Sequence, residues 1–252
     1  MLRDYQVDLF DKLRAKMAAG FRKVIAAMAT GSGKSIVAIE IIKGALAKGK
    51  RVAFCVDRII LAEQFAKMCY DAEINDFSIM QADNQLYKPY YPFQIITAQT
   101  LAKRDVESFD LVIVDEAHLI YKSLMEKMSK WEKSFWIGLT ATPYTRGLGK
   151  YWDGLVTGMT MVELIKNGYL VDYDVYGPQK YEPDLNGVKT VGDDYNKKQL
   201  AERTDQKKLI GDMVEHYHKV IDGKKTMVMA VNIAHAEHIA GHFNDSGIKA
   251  DF

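Results

Sequence analysis

Apolar residues recur at Val7, Leu9, Phe10, Leu13 and Met17, a three-to-four spacing that lines one face of a helix. The chain is therefore predicted to open with an amphipathic helix over about Asp4 to Ala18, ended by Gly20. The pattern then changes to short continuous apolar runs at Val24–Ala27, Val52–Val56, Phe93–Ile96, Leu111–Val114 and Phe135–Leu139, several of them rich in β-branched residues. Runs of this length and composition read as buried strands. Between them helical spacing returns at Ser35–Ala47, Ile59–Tyr70 and Leu119–Lys130. Strands that alternate with helices predict an α/β fold with a central, mostly parallel sheet covered on both faces. Ligands of such sheets collect beyond the carboxyl ends of the strands, so the residues just after each run are the candidates for chemistry.

After Pro143 the pattern loosens. Arg146-Gly147-Leu148-Gly149 and Trp152-Asp153-Gly154 are turn-rich, Met161–Asn167 reads helical and Leu170–Tyr176 extended, which closes a first domain over residues 1–176. Residues 177–196 carry Gly, Pro, Asp and Asn without apolar periodicity and read as a linker or exposed loop. A second unit over 197–252 is predicted to contain a helix from about Lys197 to Ile221, a strand at Thr226–Val231, a helix at Ala234–Asn244 and the start of a strand at Ile248–Phe252. One complete strand and the beginning of another do not make a stable, doubly covered sheet, so this unit is expected to be the incomplete start of a longer domain.

Hydrophobic residues at 48% and charged residues at 27% are ordinary for a soluble globular protein and exclude fibrous, disordered and disulfide-rich classes. The longest apolar runs, such as Val24 to Ala29, fall far short of the roughly 20 residues that span a bilayer. The start, Met1-Leu2-Arg3-Asp4-Tyr5, has no apolar core or cleavage site of a secretory signal. A cytoplasmic location, that of the host cell if a phage encodes the chain, is therefore expected, with no membrane partner. Cys55 in a predicted strand and Cys69 in a predicted helix offer neither a disulfide framework nor zinc spacing and read as reduced packing residues. A formal net charge of +1 does not by itself announce a nucleic-acid partner. A local groove of amides, hydroxyls and a few cations can still hold one.

Two stretches carry the chemistry. Met28-Ala29-Thr30-Gly31-Ser32-Gly33-Lys34-Ser35 lies between a predicted strand and a predicted helix, the context of a phosphate loop. Gly31 and Gly33 let backbone N–H groups approach phosphates, the helix N-terminus adds partial positive charge, Lys34 adds a full one, and Ser35 is placed to hold Mg²⁺. Leu111-Val112-Ile113-Val114-Asp115-Glu116-Ala117-His118 is a buried strand that ends in two carboxylates. Asp115 suits the metal and Glu116 suits deprotonation of an attacking water. Each stretch alone has a bland reading, as a turn or a solvated strand end. Their order and their placement at strand ends favour a nucleoside triphosphate site, with Thr30, Gly31, Ser32, Gly33, Lys34 and Ser35 as its binding segment.

Read in order, these motifs resemble the superfamily 2 helicases and translocases of the DEAD/DEAH-like group, among them phage repair helicases and restriction-enzyme motor subunits. Leu2-Arg3-Asp4-Tyr5-Gln6 is similar to that group's adenine-recognition motif. The resemblance assigns Gln6 to the base edge, whose donor and acceptor an amide matches, with Arg3 and Tyr5 flanking it. Val56-Asp57-Arg58 and the residues after it are similar to motif Ia, and Ile96-Thr97-Ala98-Gln99-Thr100-Leu101 to motif Ib. The resemblance makes Arg58, Thr97, Gln99 and Thr100 candidates for sugar-phosphate contacts, while helix-capping or turn roles stay open for each. Leu139-Thr140-Ala141-Thr142-Pro143 matches motif III, which implies that Thr140 and Thr142 couple the acidic motif to strand binding and bond toward His118 or Asp115. His118 takes the group's coupling position after Asp-Glu-Ala, and no second His or Cys lies at ligand spacing to make it a metal ligand. Val228 to His238 resembles motif IV.

The resemblance implies a RecA-like P-loop domain followed by a partial second RecA-like domain, ATP and Mg²⁺ as cofactors, and DNA ahead of RNA as partner. Lys34, Asp115, Glu116 and His118 form the expected catalytic set. Met28 stands where the strict phosphate-loop pattern has its first glycine. Motifs V and VI, which bring arginines to the γ-phosphate in the group, are not among these residues, so slow hydrolysis is expected from this chain by itself. Two rivals remain: a module that binds nucleotide or nucleic acid without turnover, and a P-loop ATPase that acts on a substrate other than nucleic acid.

Overall fold

Parallel strands cannot be joined by tight turns, so each must be followed by a crossover, and the helices between the apolar runs supply it. The computed structural model describes residues 2–80, 88, 90–177, 181–191 and 194–252, and by internal packing the chain divides into two units, Met1–Asp172 and Tyr173–Phe252. The first unit runs α1 (Asp4–Ala18), β1 (Lys23–Ala27), α2 (Lys34–Leu46), β2 (Val52–Val56), α3 (Ile59–Asp71), β3 (Phe77–Met80), β4 (Phe93–Thr97), α4 (Ala98–Lys103), β5 (Leu111–Asp115), α5 (Lys122–Lys130), β6 (Phe135–Thr140), β7 (Gly154–Thr157) and α6 (Met161–Lys166). Its sheet has seven strands in the order β3-β4-β2-β5-β6-β1-β7, and every pairing is parallel.

Strand alternation divides the apolar side chains between two cores. Val24, Ala26, Phe54 and Ile113 point into one, with α1, α2 and α3; Ile25, Ala53, Cys55, Val112 and Val114 point into the other, with α4 and α5. Because both faces are covered, the central strands are apolar at nearly every position instead of at every second one. Phe54 stacks on Phe65 with ring centroids 3.6 Å apart, and each such buried ring contributes about 2 kcal/mol. Cys55 and Cys69 are both buried and unpaired by any disulfide. Burial pushes the Cys69 thiol up to about 12; burial, then the charges of Asp115 and Asp57, do the same to Cys55.

Gly138 shows how tightly the second core closes. A Cβ there would lie 2.7 Å from the Ala117 Cβ and 2.7 Å from the Trp152 ring. Gly138→Ala is expected to cost about 1–3 kcal/mol, since neither a neighbouring backbone nor a buried indole can retreat freely. Urea unfolding measures it, and an unchanged midpoint would show that the contact relaxes.

The structure departs from the pattern-based expectation in several places. β3 and β7 were not anticipated: each is only four residues long, and in β7, an edge strand, Leu155 and Thr157 are exposed. The helix expected from Leu119 starts at Lys122, because Glu116 adopts a left-handed conformation (φ 48°) and Leu119 N–H closes a turn onto its carbonyl. Leu170–Tyr176 forms no strand.

The second unit holds a two-residue antiparallel ladder between β8 (Thr190–Val191) and β9 (Asp194–Tyr195), then α7 (Lys197–Thr204), α8 (Lys207–His216) with a π-helical turn at Tyr217–Ile221, and α9 (Ile233–Asp245). Of the expected linker 177–196, residues 178–180 and 192–193 lie outside the described residues. The single helix expected over 197–221 is broken at Asp205–Gln206, where the Thr204 hydroxyl bonds back to the Leu200 carbonyl and Asp205 pairs with His238. The strands expected at Thr226–Val231 and Ile248–Phe252 do not form, since neither run has a strand to pair with among the described residues. A small core of Ile210, Tyr217, Ile239 and Phe243 holds the unit together. Among the described residues, no helix is long and apolar enough to cross a membrane.

Candidate active site

Five neighbouring strands bring the candidate residues to one rim of the sheet. The registers Val56↔Thr97, Cys55↔Val114, Asp115↔Leu139 and Ala27↔Thr140 put the carboxyl ends of β4, β2, β5, β6 and β1 side by side. Along that rim stand, in order, Thr97, Arg58, Asp115 with Glu116, Thr140 and the phosphate loop. The two halves of the expected nucleotide site, about eighty residues apart in sequence, are separated by β6 alone.

The phosphate loop turns through two glycines in the left-handed region, Gly31 (φ 78°) and Gly33 (φ 85°), which only glycine adopts without strain. At Gly33 a Cβ would also lie 2.5 Å from the Gln6 Nε2, so packing as well as conformation excludes a side chain. Ser32 closes the loop on itself: its N–H and its hydroxyl both donate to the Ala29 carbonyl, at 3.2 and 2.6 Å. Met28, in place of the first glycine, is buried, and its N–H donates to the Thr140 carbonyl at 2.9 Å, tying the loop to β6. Gly33 caps α2, so Lys34 and Ser35 occupy its first turn, where orphan N–H groups and the helix dipole favour an anion. Thr30 is exposed, and the Ser35 hydroxyl has no hydrogen-bond partner among the described residues.

Lys34 Nζ lies 3.8 Å from Glu116 Oε1, and this ion pair joins the two halves. Asp115 accepts the Glu116 N–H at 3.1 Å. Its carboxyl is pushed above the usual range, chiefly by burial and then by the Glu116 charge, against the smaller pull of the Glu116 N–H, Lys34 and His118. Two successive carboxylates at a partly buried strand end suit a divalent cation, whose charge would offset both effects. Ser35, with its unspent hydroxyl, is the residue on the phosphate side that could join Asp115 in holding such an ion.

His118 Nδ1 lies 3.2 Å from Glu116 Oε2 and 3.0 Å from Thr140 Oγ1. Thr140 is fully buried and its Oγ1 also accepts the Thr142 N–H at 3.0 Å, so one hydroxyl connects the acid motif to the turn that follows β6. Thr140→Val, which keeps the shape and removes the oxygen, is expected to destabilise the fold by about 1–3 kcal/mol through the loss of two hydrogen bonds, those to His118 and to the Thr142 N–H. Nucleotide affinity should stay within threefold. Thermal unfolding and equilibrium binding read the two separately; a large affinity loss would place Thr140 in direct nucleotide contact.

Gln6 is buried against the loop. Its Nε2 donates to the Ser32 carbonyl at 2.9 Å and its Oε1 accepts the Arg3 N–H at 2.9 Å, which leaves one amide hydrogen and one lone pair. The Tyr5 hydroxyl donates to the same Ser32 carbonyl at 2.9 Å. Tyr169, from beyond α6 and not singled out by any motif, packs edge-on against Tyr5 (4.7 Å) and lies under the Arg3 guanidinium (5.5 Å). The result is an aromatic and cationic wall beside the loop.

The remaining candidates sit farther along the rim. Arg58 is exposed and paired with Asp57 (3.4 Å), whose other oxygen accepts the Tyr121 hydroxyl. Tyr121, just after the acidic motif, was invisible to spacing because its partner is 64 residues away. Thr97 spends its hydroxyl capping α4: it accepts the Thr100 N–H at 3.2 Å and bonds the Thr100 hydroxyl at 2.8 Å. Gln99 points to solvent.

Comparison with known proteins places the chain in a family. The family described as type III restriction enzyme, res subunit, matches residues 1–145. A 51.5 kDa protein of a Lactococcus phage (isolate 7-9) is 28% identical over 229 residues, which cover 87% of this chain and 46% of that protein. The type I restriction enzyme EcoAI endonuclease subunit of Escherichia coli is 27% identical over 283 residues, covering 94% of this chain and 33% of the subunit. This chain thus spans less than half the length of either relative. The UvsW helicase from bacteriophage T4 shares the fold, with a TM-score of 0.53 and 18% identity over 62% of this chain and 59% of that one. With more than half of its residues matched by one family, the chain belongs to the type III restriction enzyme res-subunit family, among the superfamily 2 helicases and translocases.

Proposed function

We propose that this chain binds ATP with Mg²⁺ at the rim of β1, β6 and β5 and serves as the ATPase core of a DNA helicase or translocase. The observation that carries this reading is the ion pair between Lys34 and Glu116, which sets the phosphate-binding cation against the water-activating carboxylate at 3.8 Å. When bound, the metal would supply charge neutralisation between the acids and the phosphates. Ser35 and Asp115 would hold it. Lys34 would release Glu116 to neutralise β- and γ-phosphate charge, and Glu116 would take a proton from the water that attacks the γ-phosphorus as ADP leaves. His118 and Thr140 keep Glu116 and the Thr142 turn in one hydrogen-bonded unit, so movement at the γ-phosphate is felt after β6. Arg58, Gln99 and the α4 cap would face the sugar-phosphate backbone of a bound strand.

The reading for this chain is nucleotide binding with slow turnover, which an arginine offered to the γ-phosphate would accelerate. Names of relatives that include restriction-enzyme subunits favour DNA over RNA. The test is ATP binding and turnover measured without nucleic acid and with single-stranded DNA, duplex DNA and RNA. Nucleotide affinity that rises with DNA and not with RNA supports the proposal. Absence of Mg²⁺-dependent nucleotide binding would overturn it.

A further inference from the structure

At the amino ends of β5 and β6, at the end of the sheet away from the rim, residues of α1 and α2 line a cavity of about 380 Å³. We propose that this cavity is a binding site for a small amphipathic organic anion, a carboxylate or sulfonate carried on a short aliphatic or aromatic body. Its volume falls in the range of about 300–1,000 Å³ common for small-molecule sites. The floor is apolar, formed by Leu13, Ile41, Leu111 and Ile137, all of them core residues. The mouth is cationic: Arg14, Lys48, Lys50 and Lys133 line it against one carboxylate, Asp110. Only Lys50 is neutralised there, by Asp110 at 3.4 Å, while Lys48 and Lys133 make no ion pair among the described residues. An apolar body with a single anionic head satisfies floor and mouth together; a neutral apolar ligand would leave the cations unanswered, and a phosphate would leave the floor empty.

The wall contributes a second, independent observation. Gly44 lines the cavity from the last turn of α2, in an ordinary helical conformation that any residue adopts. A Cβ there would meet no atom within 4 Å. Glycine weakens a helix relative to alanine, and here neither the backbone nor the packing asks for it. Its missing side chain leaves that part of the lining bare.

The experiment titrates the full chain with sodium octanoate and, in parallel, with 1-octanol, followed by calorimetry and by the amide NMR signals of Gly44 and Ala45. Octanoate is expected to shift both signals with a Kd on the order of 1 mM or below and to bind at least threefold tighter than octanol. Gly44→Leu, which fills the space, should weaken octanoate at least tenfold while the unfolding midpoint stays at or above that of the unaltered chain. Lys48→Gln with Lys133→Gln, both exposed and therefore safe for folding, should weaken octanoate at least threefold and leave octanol unchanged. The proposal is overturned by an octanoate titration that moves neither amide, by undiminished binding to Gly44→Leu, or by equal affinity for octanoate and octanol. Nucleotide binding plays no part in any of these readouts, so they stand apart from the function proposed above.

Discussion

Lys34→Ala is expected to weaken ATP binding roughly 100-fold or more and to abolish measurable turnover, with little change in the unfolding midpoint. Lys34 is the one full positive charge on the phosphate loop, and its side chain is only 16% exposed. Two unit charges about 4 Å apart at an effective dielectric of about 20 attract by roughly 4 kcal/mol, and a 100-fold loss corresponds to about 2.7 kcal/mol. Stability should barely move, because the contact that Lys34 makes without nucleotide is a partly solvated ion pair at 3.8 Å, a class worth about 0–1 kcal/mol. A second consequence has a definite sign. Lys34 pulls the Asp115 carboxyl down, so its removal leaves burial and Glu116 less opposed and raises that carboxyl further. Equilibrium titration with a fluorescent ATP analogue in Mg²⁺ measures the effect. Affinity within threefold of the unaltered chain would remove the phosphate grip from the proposed function.

Glu116→Gln is expected to cut single-turnover hydrolysis about 10²–10⁴-fold while ATP binds as well or better. The amide keeps the size of the side chain and loses the base, and it removes one negative charge beside an incoming polyphosphate. The same experiment separates a slow motor from a module that only binds: in the latter, the unaltered chain and the variant would show the same absence of turnover. Glu116 also carries backbone strain, at φ 48° in a region that disfavours any residue but glycine. Glu116→Gly should therefore be inactive yet as stable as the unaltered chain or more so, by up to about 1 kcal/mol, since it relieves both the strain and the repulsion on Asp115. A strongly destabilised Glu116→Gly would mean that the contacts to Lys34 and His118 outweigh both.

How much of this was readable from the chain depended on how local each determinant is. α1 at Asp4–Ala18 and the central strands announce themselves because one stripe or one uninterrupted apolar run suffices to define them. β3 and β7 escaped because four residues carry too little pattern. The run Thr226–Val231 looked like a strand and is not one, since a strand exists only with a partner and sequence composition does not supply it. The site divides in the same way. Phosphate-loop and acidic residues were legible as contiguous motifs, and their meeting at the rim follows from the strand order, which single-chain patterns do not contain. Tyr169 under Arg3 and Tyr121 on Asp57 were not legible, because each contact joins distant segments through an ordinary tyrosine. Thr97 carried two readings, and the structure shows its hydroxyl used as a helix cap.

Both thiols of this chain are sealed in its cores, with acidities pushed to about 12. Burial thus disfavours the thiolate, the form of a cysteine that reacts as a nucleophile, at both positions. A cysteine introduced on the exposed side of α3 or on α9 should accordingly take a dye at a single position without prior removal of the native pair. The environment of that dye would then report local changes on nucleotide addition in an otherwise unaltered protein.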